Sequence, residues 1–270
     1  MAESAPGRPS APHDVTAGMT RLVSGVALGA ATVVAIRFLP LLPLRVLACL
    51  VAALAAREYL EIVDSPIRAV VLVIAMCWIV SSTSMASPLV LLTMALLWVA
   101  AEVLISNHSI QQASTGVFAA VYIGMPLGML VAVHALLGWP ATLLFLGTVV
   151  VSDSMQYYTG RLLGRHPLAP AISPKKTIEG AIGGAVFGTV FLTVVGARVL
   201  PFSGYGPLVT LGVLVVLFGI CGDLFESRLK RAAGVKDSSS LIPGHGGVLD
   251  RIDALLFAVA PFYLYIRNVT

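Results

Sequence analysis

The chain has 270 residues, 58% hydrophobic and 11% charged, with a formal net charge of +4 and a mean hydropathy of +0.94. Soluble domains carry roughly 25% charged residues, so this composition excludes a soluble globular protein, a disordered chain and a disulfide scaffold. The 17 basic residues are too dispersed to coat a nucleic acid and read instead as membrane orientation. The apolar runs are unbroken over helix-spanning lengths of about 20 residues, where barrel strands would alternate in polarity. The expected fold is all-α: a polytopic integral membrane helical bundle.

Residues 1–18 are rich in Pro, Ala, Gly and Ser and read as a flexible cytoplasmic tail. A cleaved leader is disfavoured because the apolar run after Arg21 exceeds the usual 7–15-residue core of such a segment and further runs follow. After the tail the hydropathy predicts about nine spans, near 20–39, 42–62, 67–83, 87–105, 116–137, 139–163, 177–199, 205–231 and 251–268. Residues 19–150 are expected to form the N-terminal transmembrane helices and 151–270 a C-terminal transmembrane region whose polar site faces the cytoplasm. Cys49, Cys77 and Cys221 sit in apolar runs without metal-ligand spacing and read as small buried hydrophobes. The spans ending near 163 and 231 begin apolar and turn polar, at Ser152 and after Cys221, so both suit helices that protrude from the bilayer.

Loop charge sets the orientation. Arg161, Arg165, Lys175 and Lys176 precede the seventh span; Arg228, Lys230, Arg231, Lys236 and Arg251 precede or open the ninth. Both groups lie on one side if spans seven and eight form a hairpin, and that side should be cytoplasmic. Arg37, Arg45, Arg198 and Arg267 then lie outside. Acidic residues are unevenly spread: those beyond residue 150, from Asp153 to Asp253, lie in or beside apolar runs and are mixed with Lys and Arg. Charge at membrane depth is expensive and usually functional, so the chemistry belongs to the C-terminal half.

Three constellations stand out. In D-S-M-Q-Y-Y-T-G-R, Asp153, Tyr157 and Arg161 share a helix face at i, i+4, i+8; they can line a polar cavity or form a structural ion pair. In S-P-K-K-T-I-E-G, Ser173 and Thr177 are good N-cap residues and Pro174 suits a first turn. A helix start flanked by Lys175 and Lys176 can bind phosphate, or simply anchor the chain on the positive side. The following Gly180, Gly184 and Gly188 recur every four residues and read as close helix packing. The third constellation is G-D-L-F-E-S-R-L-K-R, which puts Asp223, Glu226, Ser227, Lys230 and Arg231 on one helix face. Its acidic and hydroxyl groups suit a metal and its basic groups a phosphate. Pro243, Gly244, Gly246 and Gly247 then force a tight loop, and Asp250 and Asp253 open the last span. Hard oxygen donors without cysteine favour Mg²⁺ or Mn²⁺, with a second cation as a further candidate. His245 suits substrate contact and loop hydrogen bonding equally.

Residues 227–253, S-R-L-K-R-A-A-G-V-K-D-S-S-S-L-I-P-G-H-G-G-V-L-D-R-I-D, resemble the signature of the bacterial phosphatidate cytidylyltransferases (CDP-diacylglycerol synthases). That pattern reads Ser-x-apolar-Lys-Arg, then Lys-Asp, then Pro-x-His-Gly-Gly-apolar-x-Asp-Arg-apolar-Asp, and every fixed position is met. L-A-P-A-I-S-P-K-K-T-I-E-G-A-I-G-G and G-D-L-F-E-S resemble the same family, as does the earlier A-A-R-E-Y. The resemblance covers roughly residues 150–260. One departure is Gln156, where the family usually has Ala in Asp-x-x-Ala-Tyr.

The resemblance implies transfer of CMP from CTP to phosphatidic acid, giving CDP-diacylglycerol and pyrophosphate in phospholipid biosynthesis. It implies an enzyme of the bacterial inner membrane, working on CTP and phosphatidate at the bilayer's cytoplasmic face, with no nucleic-acid partner and a homodimer as a candidate assembly. Metal and cationic clamps would support in-line nucleotidyl transfer. Asp223 and Asp250 are the expected metal ligands, with Glu226 a further candidate and Ser227 a neighbour. Lys230, Arg231 and Lys236 are expected on the phosphates, and Lys175 and Lys176, flanked by Ser173 and Thr177, on a second anion. Asp153, Arg161, Asp237, His245, Arg251 and Asp253 complete the expected substrate site. A transporter would be the alternative class, but the polar residues gather towards one membrane face instead of the midplane. An enzyme activating another lipid phosphate, such as an archaeal ether lipid, stays open; a CDP-alcohol phosphotransferase lacks its Asp-Gly-x-x-Ala-Arg run here.

Overall fold

A computed structural model describes residues 13–82, 87–106, 108–242 and 246–269. The helices run α1 His13–Phe38, α2 Leu41–Ile62, α3 Val70–Ser81, α4 Pro88–Leu104, α5 Ile110–Ala119, α6 Met125–Leu163, α7 Ile178–Val199, α8 Tyr205–Ala232 and α9 Leu249–Val269. A single 3₁₀ turn, Ile67–Ala69, leads into α3, and a π turn, Ala120–Gly124, joins α5 to α6. The expected tail overlaps the start of α1, so its last residues are helical. His245 and the adjoining Pro243 and Gly244 lie outside the described residues.

Local chemistry explains the starts. Ser109 and Gln112 form a reciprocal capping box at α5. Pro88 occupies the first turn of α4, where its missing N–H costs nothing. Thr177 caps α7 by accepting a hydrogen bond from the Gly180 N–H at 3.1 Å.

Among the described residues, Ile110–Leu163, Ile178–Val199, Tyr205–Ala232 and Leu249–Val269 are long and apolar enough to cross a membrane; Ser24–Phe38, Ile67–Ser81 and Pro88–Leu104 are shorter apolar helices. The first of these segments, 54 residues, would be about 80 Å long if straight, well over twice a hydrocarbon core. It is interrupted at Gly138, whose φ of 74° and ψ of −169° are open essentially to glycine alone. The Thr142 hydroxyl lies 3.4 Å from His134 Nδ1, whereas residues eight apart on a straight helix are about 12 Å apart. The chain therefore doubles back at Gly138, matching the sequence boundary between runs 116–137 and 139–163.

The connections sort to two ends of the bundle. At one end Arg37 stacks on Trp139 at 4.6 Å, Arg45 donates to the Ser81 carbonyl at 3.2 Å, and the Tyr265 hydroxyl donates to Ser203 at 2.6 Å. At the other end lie an Arg68–Glu102–His108 cluster and the ion pairs Lys176–Asp223 and Lys230–Asp250.

Small residues set the packing. Ala52, Ala55 and Ala56 of α2 are fully buried, and Gly124 and Gly128 lie against the α3 backbone at Val73 and Cys77. Gly180, Gly184 and Gly188 are buried against Gln156 and Ser152 of α6 and Val216 of α8, as the four-residue spacing implied. Large apolar side chains face outward on α4 and α7, among them Leu96, Leu97, Val190 and Val194, as lipid-facing surfaces do.

Two expectations change. Ser173 and Pro174 do not open a helix: Ser173–Thr177 is strand β2, paired antiparallel with β1, Pro167–Ala169. The backbone there is committed to a two-stranded hairpin, so α7 starts at Ile178. Cys221 is exposed, unlike Cys49 and Cys77, because it lies on the face of α8 turned away from α9 contacts at Gly222.

Candidate active site

The last three turns of α8 carry the densest charge. Lys230 Nζ lies 2.5 Å from Glu226 Oε2, one turn back, and 2.5 Å from Asp250 Oδ1 at the start of α9. The Lys230 side chain is 11% exposed and Glu226 not at all. Ser227 faces Asp223 at 3.5 Å, and Lys176 of β2 forms an ion pair with the other Asp223 oxygen. The β hairpin and α8 thus meet at Asp223.

Carboxylates crowd this end. Asp223 interacts electrostatically with Asp153 of α6 and Asp253 of α9, and Asp253 also with Glu226. Lys176 and Lys230 are set against these acids. Glu226 Oε1 is buried with no hydrogen-bond partner among the described residues. Beneath lies an aromatic floor of Tyr59, Phe118, Tyr122, Phe225 and Phe257, with ring centroids 5.2–6.0 Å apart. Tyr122 sits on the π turn, and its buried hydroxyl likewise has no hydrogen-bond partner among the described residues. Such π turns occur often at functional sites.

Beyond α8 the chain reverses. Gly234, at φ 73°, closes a Schellman cap in which the Val235 N–H donates to the Lys230 carbonyl and the Gly234 N–H to that of Arg231. The returning loop is tied to Asp250, whose Oδ2 accepts from the Ser238 N–H at 2.9 Å and the Gly247 N–H at 2.8 Å and lies 3.0 Å from the Ser238 hydroxyl oxygen. Both Asp250 oxygens are therefore engaged, one by Lys230 and one by the loop.

The expected residues divide. Lys176, Asp223, Glu226, Ser227, Lys230, Asp250 and Asp253 converge, and Asp153 joins them, bonded by Gln156 Nε2 at 3.1 Å. Gln156 also reaches the Ser152 hydroxyl at 3.2 Å and fills the space that Gly184 leaves open. Arg161 donates to the Tyr157 hydroxyl at 3.2 Å and makes no pair with Asp153. Lys175 is exposed while Lys176 turns inward, because successive residues of a strand point to opposite faces. Ser173 sits in the same strand, and Thr177 is spent on capping α7. Arg231 donates to the Val235 carbonyl at 3.1 Å and is exposed, as are Lys236, Asp237 and Arg251. These charged groups are exposed and lie outside the buried cluster.

Sequence reasoning missed Glu58. This buried α2 residue accepts hydrogen bonds from Ser238, Ser239 and the start of α9. The one signal was its place in A-A-R-E-Y.

The donors fit a hard divalent cation: carboxylate oxygens, with a buried Glu226 oxygen unclaimed. Among the described residues no three such side chains form a ready-made ligand set; Lys176 and Lys230 lie against oxygens that an ion would take.

Comparison with known proteins gives a family. Residues 19–269 match the model of the cytidylyltransferase family. The chain is 41% identical over 153 residues to a phosphatidate cytidylyltransferase of Bacillus subtilis, covering 55% of each chain. It is 46% identical over 126 residues to a protein of that name from Haemophilus influenzae, covering 43% of this chain and 42% of that one. It is also 40% identical over 116 residues to the uncharacterized protein YnbB of Escherichia coli, covering 43% of this chain and 39% of that protein. The chain spans about half the length of the curated relatives it matches.

Proposed function

Because the chain belongs to the cytidylyltransferase family, we propose that it is a phosphatidate cytidylyltransferase of the bacterial inner membrane. It joins CTP to phosphatidic acid and yields CDP-diacylglycerol and pyrophosphate. The observation that carries this reading is the convergence of Lys176, Asp223, Lys230 and Asp250 at one end of the apolar bundle, within a chain matched by that family almost throughout. We read the bundle as about nine spans with this end in the cytoplasm, on the loop-charge argument.

In the reaction a phosphatidate oxygen bonds to the α-phosphorus of CTP, the bond to the bridging oxygen breaks, and pyrophosphate leaves with the electron pair. A phosphate monoester has a second pKa of about 6, so the nucleophile is already anionic and needs no dedicated base. The obstacle is bringing two polyanions together. Lys176 and Lys230 reach the site from different elements, so each can exchange a carboxylate partner for a phosphate oxygen and hold the two anions in register. The exposed rim of Lys175, Arg231, Lys236 and Arg251 raises the local concentration of CTP. The aromatic floor keeps water from below, while the outward apolar faces of α7 and α8 let lipid tails stay in the bilayer.

Asp223, with Glu226 and Asp253, would hold Mg²⁺. Asp250 would join them only by releasing Lys230. Bound there, the ion neutralises phosphate charge and stabilises the leaving group. A purified-protein assay tests the reading: pyrophosphate release from CTP should require phosphatidate. Release that is indifferent to phosphatidate would reject this substrate.

A further inference from the structure

We propose that Glu58 is a positioning residue for the active site: a carboxylate donated by α2 that fixes Ser238, Ser239 and the start of α9, and through them Asp250 and Lys230. This rests on the functional reading above and assigns a role to the N-terminal half of the chain.

Glu58 is 4% exposed. Its Oε1 accepts from the Ser239 hydroxyl at 2.7 Å and the Val248 N–H at 2.9 Å; its Oε2 accepts from the Ser238 hydroxyl and the Leu249 N–H, both at 2.8 Å. Four donors from a segment some 180 residues away thus converge on one side chain. Two are backbone amides at the start of α9, the first-turn donors a helix leaves unsatisfied. A carboxylate there gains from the helix dipole as well as from the hydrogen bonds. An α9 side chain does not supply this cap; α2 does, across the bundle.

The coupling to the reacting end is direct. Ser238 has a single hydroxyl proton, and that hydroxyl lies between Glu58 Oε2 and Asp250 Oδ2. Asp250 in turn holds Lys230, and Lys230 holds Glu226. The chain Glu58–Ser238–Asp250–Lys230–Glu226 therefore links α2, the loop, α9 and α8. Gly247 makes room for it: a β-carbon there would collide with the Ser238 hydroxyl and the Glu58 carboxylate. Charge-assisted hydrogen bonds of this kind are stronger and more directional than neutral ones, which suits a loop that must hold its shape while polyanions enter and leave.

The test compares Glu58→Gln, Glu58→Asp and Glu102→Gln in the purified full-length protein. Glu102 is a second buried carboxylate at the same end, paired with Arg68 and His108 and outside this chain of contacts. Backbone amide exchange is measured over residues 236–250, and CTP and phosphatidate kinetics on the same samples. Glutamine presents donors to donors, so Glu58→Gln should raise exchange at 238 and 247–249 at least tenfold, leave α7 amides unchanged, and lower kcat at least tenfold. Glu58→Asp, which keeps the charge, should recover part of both, and Glu102→Gln should keep kcat within twofold. Should Glu58→Gln fail to fold, Ser239→Ala, which removes one donor, should show the same local exchange pattern more weakly. Unchanged exchange at 247–249, or equal kcat losses in Glu58→Gln and Glu102→Gln, would overturn the role. The exchange measurement needs no turnover, so it judges Glu58 even if the wild-type protein acts on another substrate.

Discussion

Replacing Lys230 by Met should separate stability from catalysis in a measurable way. Its ammonium stands 2.5 Å from both Glu226 and Asp250, on a side chain 11% exposed beside a glutamate with no exposure at all. Exposed ion pairs are worth about 0–1 kcal/mol. Stranding one partner of a buried pair instead costs about 3–5 kcal/mol, because the remaining charge has no compensation. Lys230→Met should therefore destabilise the protein by about 3 kcal/mol or more. The two carboxylates it leaves are not equivalent: Asp250 keeps the backbone donors of Ser238 and Gly247, whereas Glu226 Oε1 has no hydrogen-bond partner among the described residues. Most of the penalty should thus come from Glu226, and Lys230→Met with Glu226→Gln should recover at least half of it. Neither variant should recover turnover, since a phosphate-binding cation is lost in both. Thermal unfolding in micelles and turnover, measured on the wild type, both single variants and the double, complete the cycle. A Lys230→Met protein as stable as the wild type, or a double variant no more stable than the single, would refute the buried-charge argument.

Asp223→Asn should fold and lose at least about 100-fold in turnover, or about 2.7 kcal/mol of transition-state stabilisation; near wild-type turnover would make that carboxylate structural. Chelating divalent metal should abolish activity and Mg²⁺ restore it, measured by pyrophosphate release; full activity in excess chelator contradicts the metal assignment. The strand alternation at β2 predicts that Lys176→Ala lowers kcat/KM at least tenfold while Lys175→Ala stays within about threefold; comparable losses in steady-state kinetics would mean that both lysines form one clamp. Cysteines placed at Arg165 and Tyr205 in a Cys221→Ser background should label from opposite sides of the membrane, and same-side labelling would break the proposed topology.

Much of the helical framework was legible because lipid-crossing helices must satisfy their backbone internally, so apolar runs and helices coincide. The runs 42–62, 177–199 and 205–231 match α2, α7 and α8 to within a residue or so. The site was legible where its residues are close in sequence: Asp223, Glu226, Ser227 and Lys230 needed only the helical period. It was not legible where packing decides. S-P-K-K-T carries N-cap residues, yet pairing with Pro167–Ala169 makes it a strand, and that pairing separates Lys175 from Lys176. Glu58 reads as one charge in an ordinary apolar run until α9 arrives against it. Arg231 falls within the polar stripe by periodicity, but the reversal at Gly234 draws it to the Val235 carbonyl.

The central claim is that this site moves CMP from CTP to phosphatidate, and following the label measures it most directly. Purified protein in phosphatidate-containing micelles with Mg²⁺ should carry a radiolabel from the α-phosphorus of CTP into the lipid phase, and a label from the γ-phosphorus into aqueous pyrophosphate. The α-label remaining aqueous, or the γ-label entering the lipid, would contradict it.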